Sequence, residues 1–437
     1  MHKLLNAIKS SLVAAQSLSI YQLKIRQSIV LLNKCLRDEH SRNWLLRLSF
    51  LTLLLFGALP AHAFVYNFPG VLPDGCSGQN GNYICNALTL LDNDSINVTP
   101  LVGKATSITI NGDFTTGQNV QINAMGSAAN VNFSVYGTTT LGATSTVKAN
   151  IYSTSWVINI GNGNSYTGTL KTDDAAINVG NGASVTGSIY TTVSGVINVG
   201  IGSTVSGTLN TYTGAINVGA RSTTGSLISV SAGAITIDAD ATVKGNISTG
   251  SGAVTTGDRS YVTGDVTTRV GAITIGTDAR VGGKINNLDS STAGAVTLKD
   301  RAIATGTIIT DAGAVTLGAS SQAAGVATKD GAITIGADGK ISGSLCTGNS
   351  GAITVGARSI VSGNVISKTA GAITVGTLAN VSGAVMVLGA GARTIAADAT
   401  VGPSQNSSKC ANDVVAQSPT TQTVTIKSRE WRQLFMR

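Results

Sequence analysis

From Gly137 to Val401 the chain repeats one phrase, clearest in GAITIGTDARVGGKI (residues 271–285) and again in GADGKISGSL (336–345) and GARSIVSGNV (356–365). Fourteen copies begin at Gly137, Trp156, Ala175, Gly195, Gly214, Gly233, Gly252, Gly271, Gly294, Gly313, Gly331, Gly351, Gly371 and Gly391. Their spacing is 19 or 20 residues, apart from one step of 23 (271 to 294) and one of 18 (313 to 331). Counting the first residue as place 0, apolar side chains favour places 2, 4, 10 and 14, and Gly is common at places 5 and 12. Even places share one side of an extended backbone. A period near 19 is too short for a helix pair or a propeller blade. It fits one turn of a solenoid whose three short strands meet at corners that Gly permits. The predicted fold class is therefore all-β, a parallel β-helix of about fourteen rungs in which each apolar place stacks on itself. With rungs roughly 4.8 Å apart, the repeat makes a rod on the order of 65 Å long. Ile273, Ile275, Val281 and Ile285 are the predicted core of one rung, and Thr274 faces out.

Composition agrees. The chain has 53 Gly but only 6 Pro, and no three-residue Gly period, which excludes collagen. Gly, Thr, Ser, Ala, Val and Ile suit short strands joined by tight turns.

Two outward columns emerge from the alignment. Place 3 reads Asn159, Asn178, Asn198 and Asn217, then Thr236, Thr255, Thr274, Thr297, Thr316, Thr334, Thr354, Thr374 and Thr394. Stacked amides and hydroxyls can hydrogen-bond along a rod, or present a flat surface to an ordered ligand such as ice or a repetitive glycan. Place 7 alternates in sign through Arg221, Asp240, Arg259, Asp278 and Arg301, and after Ser320 continues as Asp338 and Arg358. Stacking sets Asp240 and Asp278 each between two Arg residues and Asp338 beside Arg358, an ion-pair ladder whose main effect is on register.

The flanks differ. Arg42 and Arg47 precede the apolar run LSFLTLLLFGAL (48–59), which is followed by Ala-His-Ala (61–63). These are the parts of a secretory signal peptide, and the run is shorter than the roughly 20 residues of a membrane span. Residues 1–63 are expected to be a leader cut after Ala63, with a buried core helix as the alternative. Residues 64–136 form a predicted N-terminal cap with irregular rungs, residues 137–402 the repeat, and residues 403–437 a basic tail, KSREWRQLFMR (427–437) at its end. That tail is expected to dock on the rod or a partner.

Cleavage would change the chemistry. Eight of 29 Lys/Arg and two of 21 Asp/Glu lie before residue 64, leaving 21 against 19, a net charge of +2 instead of +8. A nucleic-acid partner is not expected. His2, His40 and His62 all lie in the leader, so the mature chain would lack His-based triads and His-ligated metal. No cofactor, metal site or catalytic residue is predicted. Cys76, Cys85, Cys346 and Cys410 remain, an even number that favours disulfides in an exported chain. Cys76 and Cys85 flank the short loop SGQNGNYI, and Cys346 with Cys410 is the remaining option.

The phrase GAITVGxxxxVSGNV (351–365), with GAITVGTLANVSGAV at 371–385, resembles the rungs of bactofilins, bacterial cytoskeletal polymers, and that resemblance implies a right-handed β-helix. The export signal departs from that family, whose members are typically cytosolic. FPGVLPDGCSGQNGNYICNALTL (68–90) together with the rungs is similar to exported proteobacterial proteins related to biogenesis of the mannose-sensitive haemagglutinin pilus. This second resemblance implies a surface or pilus-associated role and transfers no catalytic residue. The expectation is a non-enzymatic structural or adhesive element, located in the periplasm, at the cell surface or outside the cell. Its partners would be surface or pilus components or a repetitive glycan, and it could self-associate through the solenoid ends. An extracytoplasmic bactofilin-like polymer, an ice or glycan binder, and a β-helix polysaccharide enzyme are the alternatives.

Overall fold

The structure, a computed structural model, describes residues 63–288 and 294–403. The proposed signal segment and the basic tail therefore lie outside the described residues. So does Cys410.

Each rung makes three short strands. In the rung that begins at Gly271 they are Ile273–Ile275, Arg280–Val281 and Ile285–Asn287. Each pairs in parallel with the same strand of the rungs before and after. Ile273 lies opposite Val254 and Val296, Val281 opposite Val262 and Ala304, and Ile285 opposite Val266 and Ile308. Three parallel ladders result, here called first, second and third in rung order. The first is a separate 16-stranded sheet running from Leu88–Leu90 to Arg393–Ile395. The second and third merge into one sheet because Ile303–Thr310 and Gln322–Thr328 continue through the corner between them. Fourteen strands of the first ladder belong to the repeat that begins at Gly137. Leu88–Leu90 and Phe114–Thr116 precede them as two irregular rungs. Among the described residues the sole helical element is one 3-10 turn, Ala128–Asn130, and no helix is long and apolar enough to cross a membrane.

The apolar places form one continuous core. Ile273, Ile275, Val281 and Ile285 are buried and Thr274 is partly exposed. Place 14 slips to 13 at Leu227 and Val326, in the rungs beginning at Gly214 and Gly313. Both stay in register with their neighbours, Leu227 with Leu209 and Val326 with Ile308. In the long step from Gly271 to Gly294 the extra residues fall after Asn287, so the strands on both sides keep their pairing. Place 10 admits one outsize side chain, Tyr166, buried with its hydroxyl donating to the Ala149 carbonyl at 2.6 Å. Burial pushes that phenol well above its ordinary pKa.

Gly recurs at the corners because backbones of successive rungs nearly touch there. A Cβ on Gly271 would overlap the Gly252 carbonyl, and one on Gly276 would overlap the backbone of Gly257. Only a hydrogen atom fits.

The N-terminal end closes differently from the rest. Val65–Phe68 pairs in parallel with Ser95–Val98 and starts the second ladder. Cys76–Gln79 runs antiparallel to Asn82–Cys85, the first strand of the third ladder, and so ends that ladder with a hairpin. Cys76 and Cys85 lie directly opposite and form a disulfide. Phe68 packs edge-on against Tyr83, with ring centroids 4.9 Å apart. The buried Asp94 carboxylate accepts from the backbone N–H groups of Phe64 and Leu91, each at 2.8 Å.

Candidate functional site

With the core apolar, chemistry is left to the corners and outer faces. At the corner after the first ladder, place 7 has a left-handed backbone from Thr144 to Leu378. Gly163, Gly182 and Gly202 occupy it early, with φ of 64–67°. Arg221, Asp240, Arg259, Asp278, Arg301, Ser320, Asp338, Arg358 and Leu378 follow, all with φ between 56° and 60°. Both signs of charge therefore share one unusual backbone position.

Along the stacked column the hydrogen-bonded charges pair by twos. Arg259 donates through Nε and Nη2 to Asp240 at 2.7 and 2.8 Å, Arg301 to Asp278 at 2.7 and 2.8 Å, and Arg358 to Asp338 at 2.8 and 2.7 Å. Each Arg reaches back to the Asp of the preceding rung. One guanidinium fork matches one carboxylate, so Arg221 beside Asp240 and Arg259 beside Asp278 act through their field alone, and Asp338 has Ser320 on its other side. Hydrogen bonding to its Arg, more than the field of the cations around it, holds each Asp below the usual carboxylate range.

Other carboxylates and amides clasp neighbouring rungs. Asp258 accepts from the N–H of Thr277 at 2.8 Å, Asp265 from Lys284 at 2.7 Å, and Asp300 from Ala319 at 2.9 Å. Asn162 and Asn181 do the same for the rungs after them. These acids are tied to backbone donors at the corners.

The outer face of the first ladder carries place 3. Asn178 donates to Asn159, Asn198 to Asn178, and Asn217 to Asn198, each Nδ2 to Oδ1 at 2.8 Å. The Thr column continues in the same register from Thr236, paired with Asn217, to Thr394. Place 1 shares this face. Ala253, Ala272, Ala295, Ala314, Ala332, Ala352 and Ala372 are exposed there, so methyl groups run in a row beside the Thr side chains. The result is a long, flat face of small side chains.

Two features escape a reading of the places alone. Place 16, at the end of the third ladder, points inward yet is polar. Thr191, Thr211, Thr249, Thr268 and Thr310 are buried and donate to corner carbonyls of Gly195, Gly214, Gly233, Gly252 and Gly313 at 2.5–3.2 Å. Buried backbone must be paired, and the hydroxyl does this where the chain turns. The recurrence of Thr or Ser before most of the Gly-rich corners was the available signal.

The second is an aromatic patch on the outer side of the third ladder and the corner after it. Tyr152 and Tyr190 occupy the same outward place two rungs apart, with Lys171 between them. Tyr136, Trp156 and Tyr212 stand exposed at the adjoining corner. Lys171 lies over the Tyr152 ring, 4.6 Å from its centroid, and 3.7 Å from Asp173. Asp173 accepts from the Tyr152 hydroxyl at 2.6 Å and from Thr192 at 2.5 Å. Burial, then the bond to Asp173, pushes the Tyr152 phenol upward. Aromatics are only 4% of the chain, and their concentration here becomes visible once the rungs are stacked.

Among the described residues no cluster of three or more His, Cys, Asp or Glu side chains could hold a metal ion. No known protein family, curated protein or solved structure matches the chain.

Proposed function

We propose that this chain is an exported, non-enzymatic β-solenoid that serves as a structural or adhesive element of the bacterial cell surface, associated with pilus components or a repetitive glycan. The observation that carries this reading is the outer face of the first ladder. Thirteen rungs from Asn159 to Thr394 present the same small polar place in strict register. A surface that repeats every rung matches a partner that itself repeats. The aromatic patch adds planar side chains beside Asp173 and Lys171, the kind of platform on which sugar rings stack. A β-helix enzyme is the less favoured alternative, since Asp258, Asp265 and Asp300 accept from backbone N–H groups and Asp240, Asp278 and Asp338 pair with Arg.

A bactofilin-like polymer outside the cytoplasm is the second reading. The last described rung favours it, because Ile395, Ala399 and Val401 are only half-buried there. Its strands present one edge to no described neighbour, and such an edge invites another chain. Cell fractionation followed by electron microscopy of the purified chain separates the readings. Single rods in the envelope or medium support the surface element, filaments support the polymer, and a cytoplasmic pool would overturn both.

A further inference from the structure

Along the corner after the third ladder, one outward column breaks the run of small side chains. Val135, Ser153, Thr172, Thr191 and Thr211 lie opposite one another, rung by rung, and point inward. The residues that follow them stack outward as Tyr136, Thr154, Asp173, Thr192 and Tyr212. An exposed aromatic ring stands at each end of this row, with a carboxylate and two hydroxyls between. Four rung steps separate the rings, roughly 19 Å at about 4.8 Å each. Trp156, exposed beside the row, holds a place that is Gly or Ala in the other rungs. The polar middle is firmly set. Asp173 accepts from Tyr152 through one oxygen and from Thr192 through the other, and Lys171 lies 3.7 Å from it and over the Tyr152 ring. Each carboxylate oxygen keeps a further lone pair for an incoming hydroxyl.

We propose that this row is a binding site for a single neutral, β-linked polysaccharide chain lying parallel to the rod axis, its sugar rings stacked on Tyr136, Trp156 and Tyr212 and its hydroxyls donating to Asp173. Aromatic faces suit the C–H faces of pyranose rings, and a β-linked chain is extended enough to follow a straight row of rungs. Charge selects a neutral one. Between Asn132 and Ala220 the only charged residues are Lys148, Lys171, Asp173 and Asp174, so no cationic cluster awaits an anionic polymer. Width selects a sugar over a protein. From Tyr152 to Trp156 across and from Tyr136 to Tyr212 along, the strip measures roughly 13 Å by 19 Å, on the order of 250 Å². A stable protein interface buries about 800 Å² per partner, whereas one sugar chain is no wider than the strip.

The site deepens the glycan reading above and rests on it for its natural role, so binding and location are measured separately. The full chain is titrated calorimetrically with cellohexaose and with chitin hexasaccharide, and with maltohexaose as the α-linked control. The expected result is binding of a β-linked hexasaccharide and none of maltohexaose. Trp156→Ala and Tyr212→Thr introduce side chains that the same places carry at Ala175 and Thr192, so circular dichroism should show the rungs intact. Each should weaken binding by about tenfold, and the two together should abolish it. Thr255→Lys marks the outer face of the first ladder instead. Binding that falls with Thr255→Lys and survives the double variant overturns the site and leaves the glycan reading with the first ladder. Failure of both β-linked hexasaccharides to bind also overturns it. So does a wild-type dimer in sedimentation that the double variant dissociates, which would make the strip a protein interface. A cytoplasmic pool on cell fractionation, with hexasaccharide binding lost in the double variant as expected, would refute export and leave the site standing.

Discussion

Inside the coil, one residue position separates a core contact from a surface one. Ile275 is buried and its neighbour Thr274 faces out. Ile275→Asp would place an unpaired carboxylate among Leu298 and the flanking apolar places, costing roughly 3 kcal/mol or more. Thr274→Asp, one residue away, should change stability by no more than about 0.5 kcal/mol. Urea unfolding of both variants checks the pair, and similar midpoints would refute the register. The left-handed corner offers a test in the opposite direction. Leu378 has φ 56° and an exposed side chain, a backbone that costs an L-residue about 1–2 kcal/mol. Gly occupies the same place at Gly163, Gly182 and Gly202. Leu378→Gly should raise stability by up to about 1 kcal/mol, the larger freedom of Gly in the unfolded chain offsetting part of the gain. A loss of stability would mean that the Leu378 side chain packs against something it is worth keeping.

Between rungs, the interactions are those of one strand or corner with its successor. The pairs Asp240–Arg259, Asp278–Arg301 and Asp338–Arg358 are exposed and screened by salt. Their folded carboxyl pKa values lie below the ordinary value, so their contribution is present above the unfolded pKa near 4. It is lost as pH falls through the folded values. Replacing the three Asp with Asn removes charge while keeping a residue that tolerates the left-handed corner. The thermal midpoint should drop at pH 7 in low salt, and the drop should shrink both at pH 3 and in 1 M salt. An unchanged drop across those conditions would mean that the pairs contribute no electrostatic stabilisation. Alternating apolar places made the three ladders legible in the sequence, since a strand period of two and a rung period near 19 leave few other solutions. The twofold grouping of the charges was not legible, because it depends on which way a long Arg side chain leans. Nor was the patch of Tyr152, Tyr190, Trp156 and Tyr212, whose members lie far apart in the chain and meet only when the rungs stack.

A solenoid ends in unpaired strand edges, so the whole molecule is only as soluble as its ends. At the N-terminal end the repeat does not begin abruptly. The strand Thr139–Leu141 pairs with Phe114 and Thr115, Thr146–Val147 with Gln121–Ile122, and Asn150–Ser153 with Asn132–Val135. These in turn are overlaid by Leu88–Leu90, Ser95–Val98 and Thr106–Ile110, and the last of these by Asn82–Cys85. The hairpin Cys76–Gln79 then closes the third ladder in antiparallel fashion, held by the Cys76–Cys85 disulfide. Phe68, Phe114 and Phe133 fill the coil here with larger side chains than the Val and Ile of later rungs, which plugs the end of the apolar interior. Removing residues 64–136 would uncover Leu141, Val147 and Ile151 together with three unpaired edges. A chain starting at Gly137 should therefore form filaments or aggregates at micromolar concentration, while the chain from Phe64 sediments as a monomer. Strand edges that find each other stack in the same parallel register as the rungs, so the assemblies should show the spacing of roughly 4.8 Å in fibre diffraction. A monomeric truncated chain would mean that the rung of Gly137 is protected without its cap, and filaments of the chain from Phe64 would place the association edge at the C-terminal rung instead.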